Sequence, residues 1–166
     1  LPDIDIDVKR PDWDDVWLEV ARIAGKRSRC VRGAIGCVLV SPTNEVVAVS
    51  YVGPPPGFLD ANIDDSDCRS WCPRSSAVTL DPGYRDCVSS HAEMNAIARA
   101  DFTRIRGGTA YVNGATCWMC AKGLAASGVA RVVMETRIGE MHRNPAATET
   151  LLVSCGIQVE NRRMDS

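Results

Sequence analysis

Apolar residues near the start of the chain recur at helical spacing. Trp13, Val16, Trp17, Val20 and Ile23 fall on one face and predict an amphipathic helix over Asp12 to Arg27. The pattern then changes to short apolar runs. "AIGCVLVS" and "VVAVSY", separated by the turn "PTNE", predict two strands joined as a hairpin. From Val52 to Ser90 the pattern dissolves into Pro, Gly, Asp and Cys, opening on "GPPPG" and ending near "DPGY". A loop of that length inside a compact domain is usually functional, or held by something other than a hydrophobic core.

Periodicity returns after the loop. His91 to Asp101 predicts a helix, "GGTAYVN" a turn and strand, Cys117 to Ser127 a helix stopped by Gly128, and "ARVVME" a strand. A helix from Ala146 to Ser154, stopped at Gly156, and a last strand "IQVE" complete the alternation. Strands alternating with helices after an opening hairpin predict an α/β fold, a mixed sheet of about five strands flanked by helices.

Composition narrows the function more than the fold. With 166 residues, 45% of them apolar, the chain suits one domain spanning 1–166, with the acidic start 1–11 expected to be mobile. A formal charge of -2 gives no long-range attraction to a polyanion, so no polynucleotide is expected and a small substrate or protein partner fits better. No apolar run approaches the ~18 residues of a membrane span and no secretory signal is visible, so the expectation is a cytoplasmic protein without membrane contact. Without an export signal, the eight cysteines point to metal ligation rather than to a disulfide framework. Cys37 and Cys155, inside apolar stretches, are expected to pack as small buried hydrophobes.

The chemistry concentrates in two segments. In "SSHAEMNAI", Ser90 and Glu93 have the spacing of a capping box, yet His91 and Glu93 also have the spacing of a metal ligand followed by a proton carrier. Alone, the segment leaves both readings open. On the next predicted helix, "TCWMCAKG" places Cys117 and Cys120 on one face in the first turn, where unpaired amides and the helix dipole favour thiolate. One imidazole and two thiolates leave the fourth tetrahedral position of a zinc ion for water, the mark of a catalytic site. Glu93, not needed as a ligand, is then free to move protons. A His-x-Glu followed by Pro-Cys-x-x-Cys is the signature of zinc deaminases of cytosine and adenine, matched here except for Thr116 in place of the proline.

With these motifs the chain resembles the cytidine deaminase superfamily, and most closely its deoxycytidylate (dCMP) deaminases. "KRSRCVRGAIGCVLV", "SYVGPPPG" and "CGIQV" are similar to further segments of that family. The resemblance implies a three-layer deaminase fold with zinc on His91, Cys117 and Cys120, and Glu93 as acid and base. It also implies contact of the pyrimidine edge with the backbone around Ala92, contact of the sugar with the loop holding Val52, and phosphate binding by Arg27. The expected substrate is dCMP or a ring-modified dCMP. The family further implies a homo-oligomer, commonly a hexamer, and regulation by a triphosphate nucleotide. Thr116 stands where the family has proline, and is expected to cap the second helix; Val52 stands where it has asparagine.

Other residues have plainer roles open to them. Lys26, Arg27, Arg29 and Arg32 form a basic cluster that is either a solvated helix end or a phosphate site. Met94 and Met119 are expected in the core, Trp118 is left open between core and base pocket, and His142 is expected on the surface. Cys68, Cys72 and Cys87, with Cys30, are either incidental thiols or a second, closed metal site that folds the long loop. Two rival functions remain: a deaminase of free cytidine or RNA adenosine, and a zinc-stabilised interaction module without catalysis.

Overall fold

Asp12 opens the first helix by accepting a hydrogen bond from the Asp15 amide at 2.7 Å, and α1 then runs over Trp13–Gly25. In this computed structural model, which describes residues 10–58, 68, 72, 87–137, 140 and 143–164, α1 lies on one face of a five-stranded sheet. Leu18 and Ala21 pack there against Val38, Val40, Tyr111 and Val133. Two glycines make the approach close. A Cβ on Gly25 would stand 2.2 Å from the Ala34 carbonyl oxygen, and one on Gly36 would stand 2.1 Å from that of Ala21.

The strands are β1 (Gly36–Val40), β2 (Val46–Tyr51), β3 (Thr109–Val112), β4 (Arg131–Arg137) and β5 (Gln158–Met164). Their order is β2-β1-β3-β4-β5, with β1 antiparallel to β2 and β3, and the β3-β4 and β4-β5 pairs parallel. The mixed sheet is the one the hydrophobic pattern predicts. The continuous apolar run of β1 follows from its place between two packed faces: Val38 and Val40 meet α1, while Cys37 and Leu39 meet the helices opposite.

Those helices are α2 (Ala92–Ile97), α3 (Phe102–Ile105), α4 (Trp118–Ser127) and α5 (Pro145–Ser154). Ala92, Ala96, Ala121, Leu124 and Leu152 form the second core with Val112, Val132 and Met134. The predicted helix from His91 to Asp101 is split, because Asp101 caps α3 by accepting from the Thr103 amide at 2.9 Å. Gly128, at φ 82°, ends α4 as expected. The long loop is pinched at its base: the Gly53 and Ser90 backbones exchange hydrogen bonds of 3.1 and 2.9 Å, and the Asn95 side chain donates to the Tyr51 carbonyl at 3.0 Å beside them.

Three expected core residues are not in the core. Cys155 is exposed because it forms the C-cap of α5, where the chain turns at Gly156. Met94 and Met119 are 40% and 64% exposed, and Met94 reaches toward Gly123 of α4, where an added Cβ would stand 3.0 Å from its sulfur. Trp118 is 47% exposed. Cys37 is fully buried, as expected. Most of residues 1–11 and His142 lie outside the described residues. Among those described, no helix is long and apolar enough to cross a membrane.

Candidate active site

Two helix starts face each other across the site. His91 is the N-cap residue of α2 and Cys117 that of α4, both in extended conformation and neither making a side-chain cap bond, so both side chains are released from helix capping. The capping box does not form. Ser90 is held in the bridge to Gly53, and Glu93 turns inward, 2% exposed. Cys117 takes the N-cap position expected for Thr116, which is fully buried with no hydrogen bond to its hydroxyl among the described residues.

His91 Nδ1 lies 3.4 Å from both Cys117 Sγ and Cys120 Sγ. Ligand atoms of the three residues all lie within 4.8 Å of one another, and no second such group occurs among the described residues. The Cys120 thiol, and the His91 imidazole beside it, pull the Cys117 thiol down to about 3 and make it a thiolate at neutral pH. Contact with that thiolate, and burial, push Cys120 up. The same contact with Cys117 raises His91 against the opposing effect of burial. Soft sulfur and imidazole donors brought to one half-buried point, one already anionic, fit a zinc ion.

Glu93 completes the arrangement. Burial raises its carboxyl above the usual range, with His91 opposing, and its Oε1 is buried with no hydrogen-bond partner among the described residues. A buried carboxyl oxygen without a partner is costly in a merely structural glutamate. It is suited to a group that exchanges protons with something entering the site.

One cavity is lined by His91, Ala92 and Glu93 together with Ile35, Val52, Ser89, Arg32 and Arg143, and by the four thiols of Cys30, Cys68, Cys72 and Cys87. Cys68 and Cys72 are buried, and the Cys68 amide donates to the Arg29 carbonyl at 2.8 Å. Arg27 is elsewhere. With Arg29, Arg99, Tyr51 and the Gly53 to Gly57 turn it lines a neighbouring cavity, and Val52 lines both. The basic cluster is therefore divided, Arg32 toward the site and Arg27 and Arg29 beside it. Sequence reading missed Asn95, which lies within the His91 segment but was given no role, and Arg143 and Glu140, which belong to no motif and come to the site or to the segment before Cys117 only through the fold.

Residues 11–136 match the model of the cytidine and deoxycytidylate deaminase zinc-binding region. The chain belongs to this family. Deoxycytidylate deaminase of Mycobacterium phage D29 is 38% identical over 133 residues, covering 76% of this chain and 96% of the phage protein. The enzyme of the same name from Schizosaccharomyces pombe is 32% identical over 152 residues, and this chain spans 90% of its own length but 44% of the yeast protein's. In fold, the chain is similar to the dCMP deaminase of cyanophage S-TIM5, solved in complex with dCMP and dUMP. The TM-score is 0.65 at 20% identity, over 92% of this chain and 98% of the other.

Proposed function

We propose that this chain catalyses the zinc-dependent hydrolytic deamination of dCMP to dUMP and ammonia. The observation that carries the reading is the buried Glu93 carboxyl, with an unpartnered oxygen, in one cavity with His91, whose ring stands within ligand distance of Cys117 and Cys120. Relatives named for this reaction support the choice of nucleotide. Zinc held by those three residues supplies the Lewis acidity that makes water a nucleophile at neutral pH. Glu93 accepts a proton from the attacking water, delivers it to N3 of the ring, and passes a second to the amine leaving C4. The Ala92 backbone, lining the same cavity, orients the pyrimidine edge. Burial of the site excludes bulk water from the ring.

The neighbouring cavity supplies guanidinium groups for phosphate. Arg27 there holds the substrate phosphate, with Val52 under the sugar between the two cavities; a triphosphate regulator would draw on the same groups. The exposed Met94, Trp118 and Met119 suit burial between copies of a homo-oligomer, a hexamer by family resemblance. A second, structural zinc on Cys30, Cys68, Cys72 and Cys87 is supported by their shared cavity and by the contact of Cys30 with Cys68, and requires the sulfurs to draw closer on binding.

Ammonia release from dCMP, 5-substituted dCMP, CMP, deoxycytidine and an adenosine-bearing RNA, with zinc counted on the same samples, tests this reading. Release from a deoxycytidine monophosphate above all others is expected, with two zinc ions per chain falling to one in Cys68→Ala. Release from the nucleoside or RNA alone, or from nothing, favours the rival functions. One zinc unchanged by Cys68→Ala removes the second site.

A further inference from the structure

The metal-bearing start of α4 hangs from a short segment, Asn113 to Cys117, that leaves β3. Its near end is tied to β1: the Gly36 amide donates to Asn113 Oδ1 at 2.6 Å, and Asn113 Nδ2 donates to the Ala34 carbonyl at 3.0 Å. Its far end is gripped from beyond β4. Glu140 Oε2 accepts from the Ala115 amide at 3.1 Å, and Arg143 Nη1 donates to the Ala115 carbonyl at 2.9 Å. Both polar atoms of one residue, two positions before a metal ligand, are thus held by two side chains that also pair with each other at 3.8 Å.

The grip is enclosed and anchored. The Glu140 and Arg143 side chains are 13% and 15% exposed, and Glu140 Oε2 also accepts from the Arg137 amide at 3.1 Å, which fixes it to the end of β4. Gly114 makes room: a Cβ there would lie 3.0 Å from Glu140 Oε1 and 2.5 Å from Ile35 Cδ1. Arg143 also lines the cavity of His91 and Glu93. Charged groups so enclosed are costly unless their hydrogen bonds bring a return in position.

We propose that Glu140 and Arg143 are positioning residues that set where Cys117 and Cys120 stand relative to His91, and so the geometry and retention of the metal. Groups behind metal ligands commonly govern affinity by about 10- to 100-fold. The inference rests on zinc at these three ligands but not on the choice of substrate, so its test is read without nucleotide.

The test follows zinc release to a chelator and the visible spectrum of the cobalt(II)-substituted protein in Glu140→Ala, Arg143→Ala and the double variant, with Glu140→Gln and Arg143→Lys beside them. Each alanine variant is expected to release zinc about 10- to 100-fold faster, with altered cobalt bands. The double variant should be no worse than the poorer single, because both side chains hold one peptide. Lysine and glutamine, which keep a donor and an acceptor, should restore part of the retention. Should the alanine variants not fold, the glutamine and lysine variants, intermediate between the unmodified protein and free ligands, carry the test alone. Unaltered release and spectra in folded variants, or additive losses that lysine and glutamine do not relieve, overturn the proposal.

Discussion

Val52 is the residue at which chemistry and family resemblance part. It is nearly buried, its amide donates to the Ile35 carbonyl at 2.9 Å, and its side chain lines both cavities. A valine side chain offers no hydrogen bond to a sugar, whereas an asparagine offers one worth roughly 0.5 to 1.5 kcal/mol. Val52→Asn is therefore expected to raise the preference for dCMP over CMP and over 5-substituted dCMP by about two- to tenfold in kcat/KM. Equal ratios in the two proteins would mean that the sugar is held elsewhere. Glu93 shows the limit of reading at this scale. Capping and proton transfer both want a glutamate at that position of a helix, so spacing alone leaves both open; with His91 as the N-cap and the Glu93 side chain buried, the capping box is absent and the proton-carrier reading stands as the proposal. The methionines misled for a related reason, since apolar character does not say which side of a short helix a residue occupies.

Among the elements, α1 is fastened to the sheet by charge as well as by packing. Asp14 accepts from Arg131 at 2.7 and 2.6 Å and from the Tyr111 hydroxyl at 2.8 Å, with Arg162 at 3.5 Å, while Arg22 pairs with the buried Glu135 on β4. The Arg131 hydrogen bond, reinforced by Tyr111 and by the charge of Arg162, holds the Asp14 carboxyl below its ordinary 3.8. A depressed carboxylate stabilises the folded state fully above its unfolded pKa, and that contribution is lost as pH falls through the folded value. Asp14→Asn should thus cost about 1 to 2 kcal/mol in urea unfolding at neutral pH, between exposed and buried ion pairs. The gap to the unmodified protein should narrow as pH falls below 3.8 and through the depressed Asp14 value. A gap that is the same at neutral and at acid pH would show that Asp14 acts through packing. The strands and helices themselves were readable from periodicity, while their joints were not. Asp101 interrupts a helical pattern because its side chain competes for the backbone, and α4 starts one residue later than expected, with Cys117 as its cap and its sulfur 3.4 Å from His91 Nδ1.

Across the whole molecule, the grouping of His91, Cys117 and Cys120 was legible because the three lie in short motifs at two helix starts. The Glu140 and Arg143 grip and the Asn95 brace were not legible, since they join segments distant in sequence through backbone atoms that no side-chain motif encodes. The cysteines divide likewise: two stand with His91 in a group able to hold a metal, four line one cavity from separate segments, Cys37 is core and Cys155 is surface. What unites these parts is a fold that buries one carboxyl beside a metal donor set. The most direct test is ammonia release from dCMP by Glu93→Gln, compared with the unmodified protein at equal measured zinc content. Glutamine keeps the size and loses the proton chemistry, so activity should fall by at least ~100-fold with zinc and fold retained. A zinc-loaded, folded Glu93→Gln protein that deaminates dCMP within a few-fold of the unmodified rate would contradict the assignment of Glu93 as the proton carrier, and with it the mechanism.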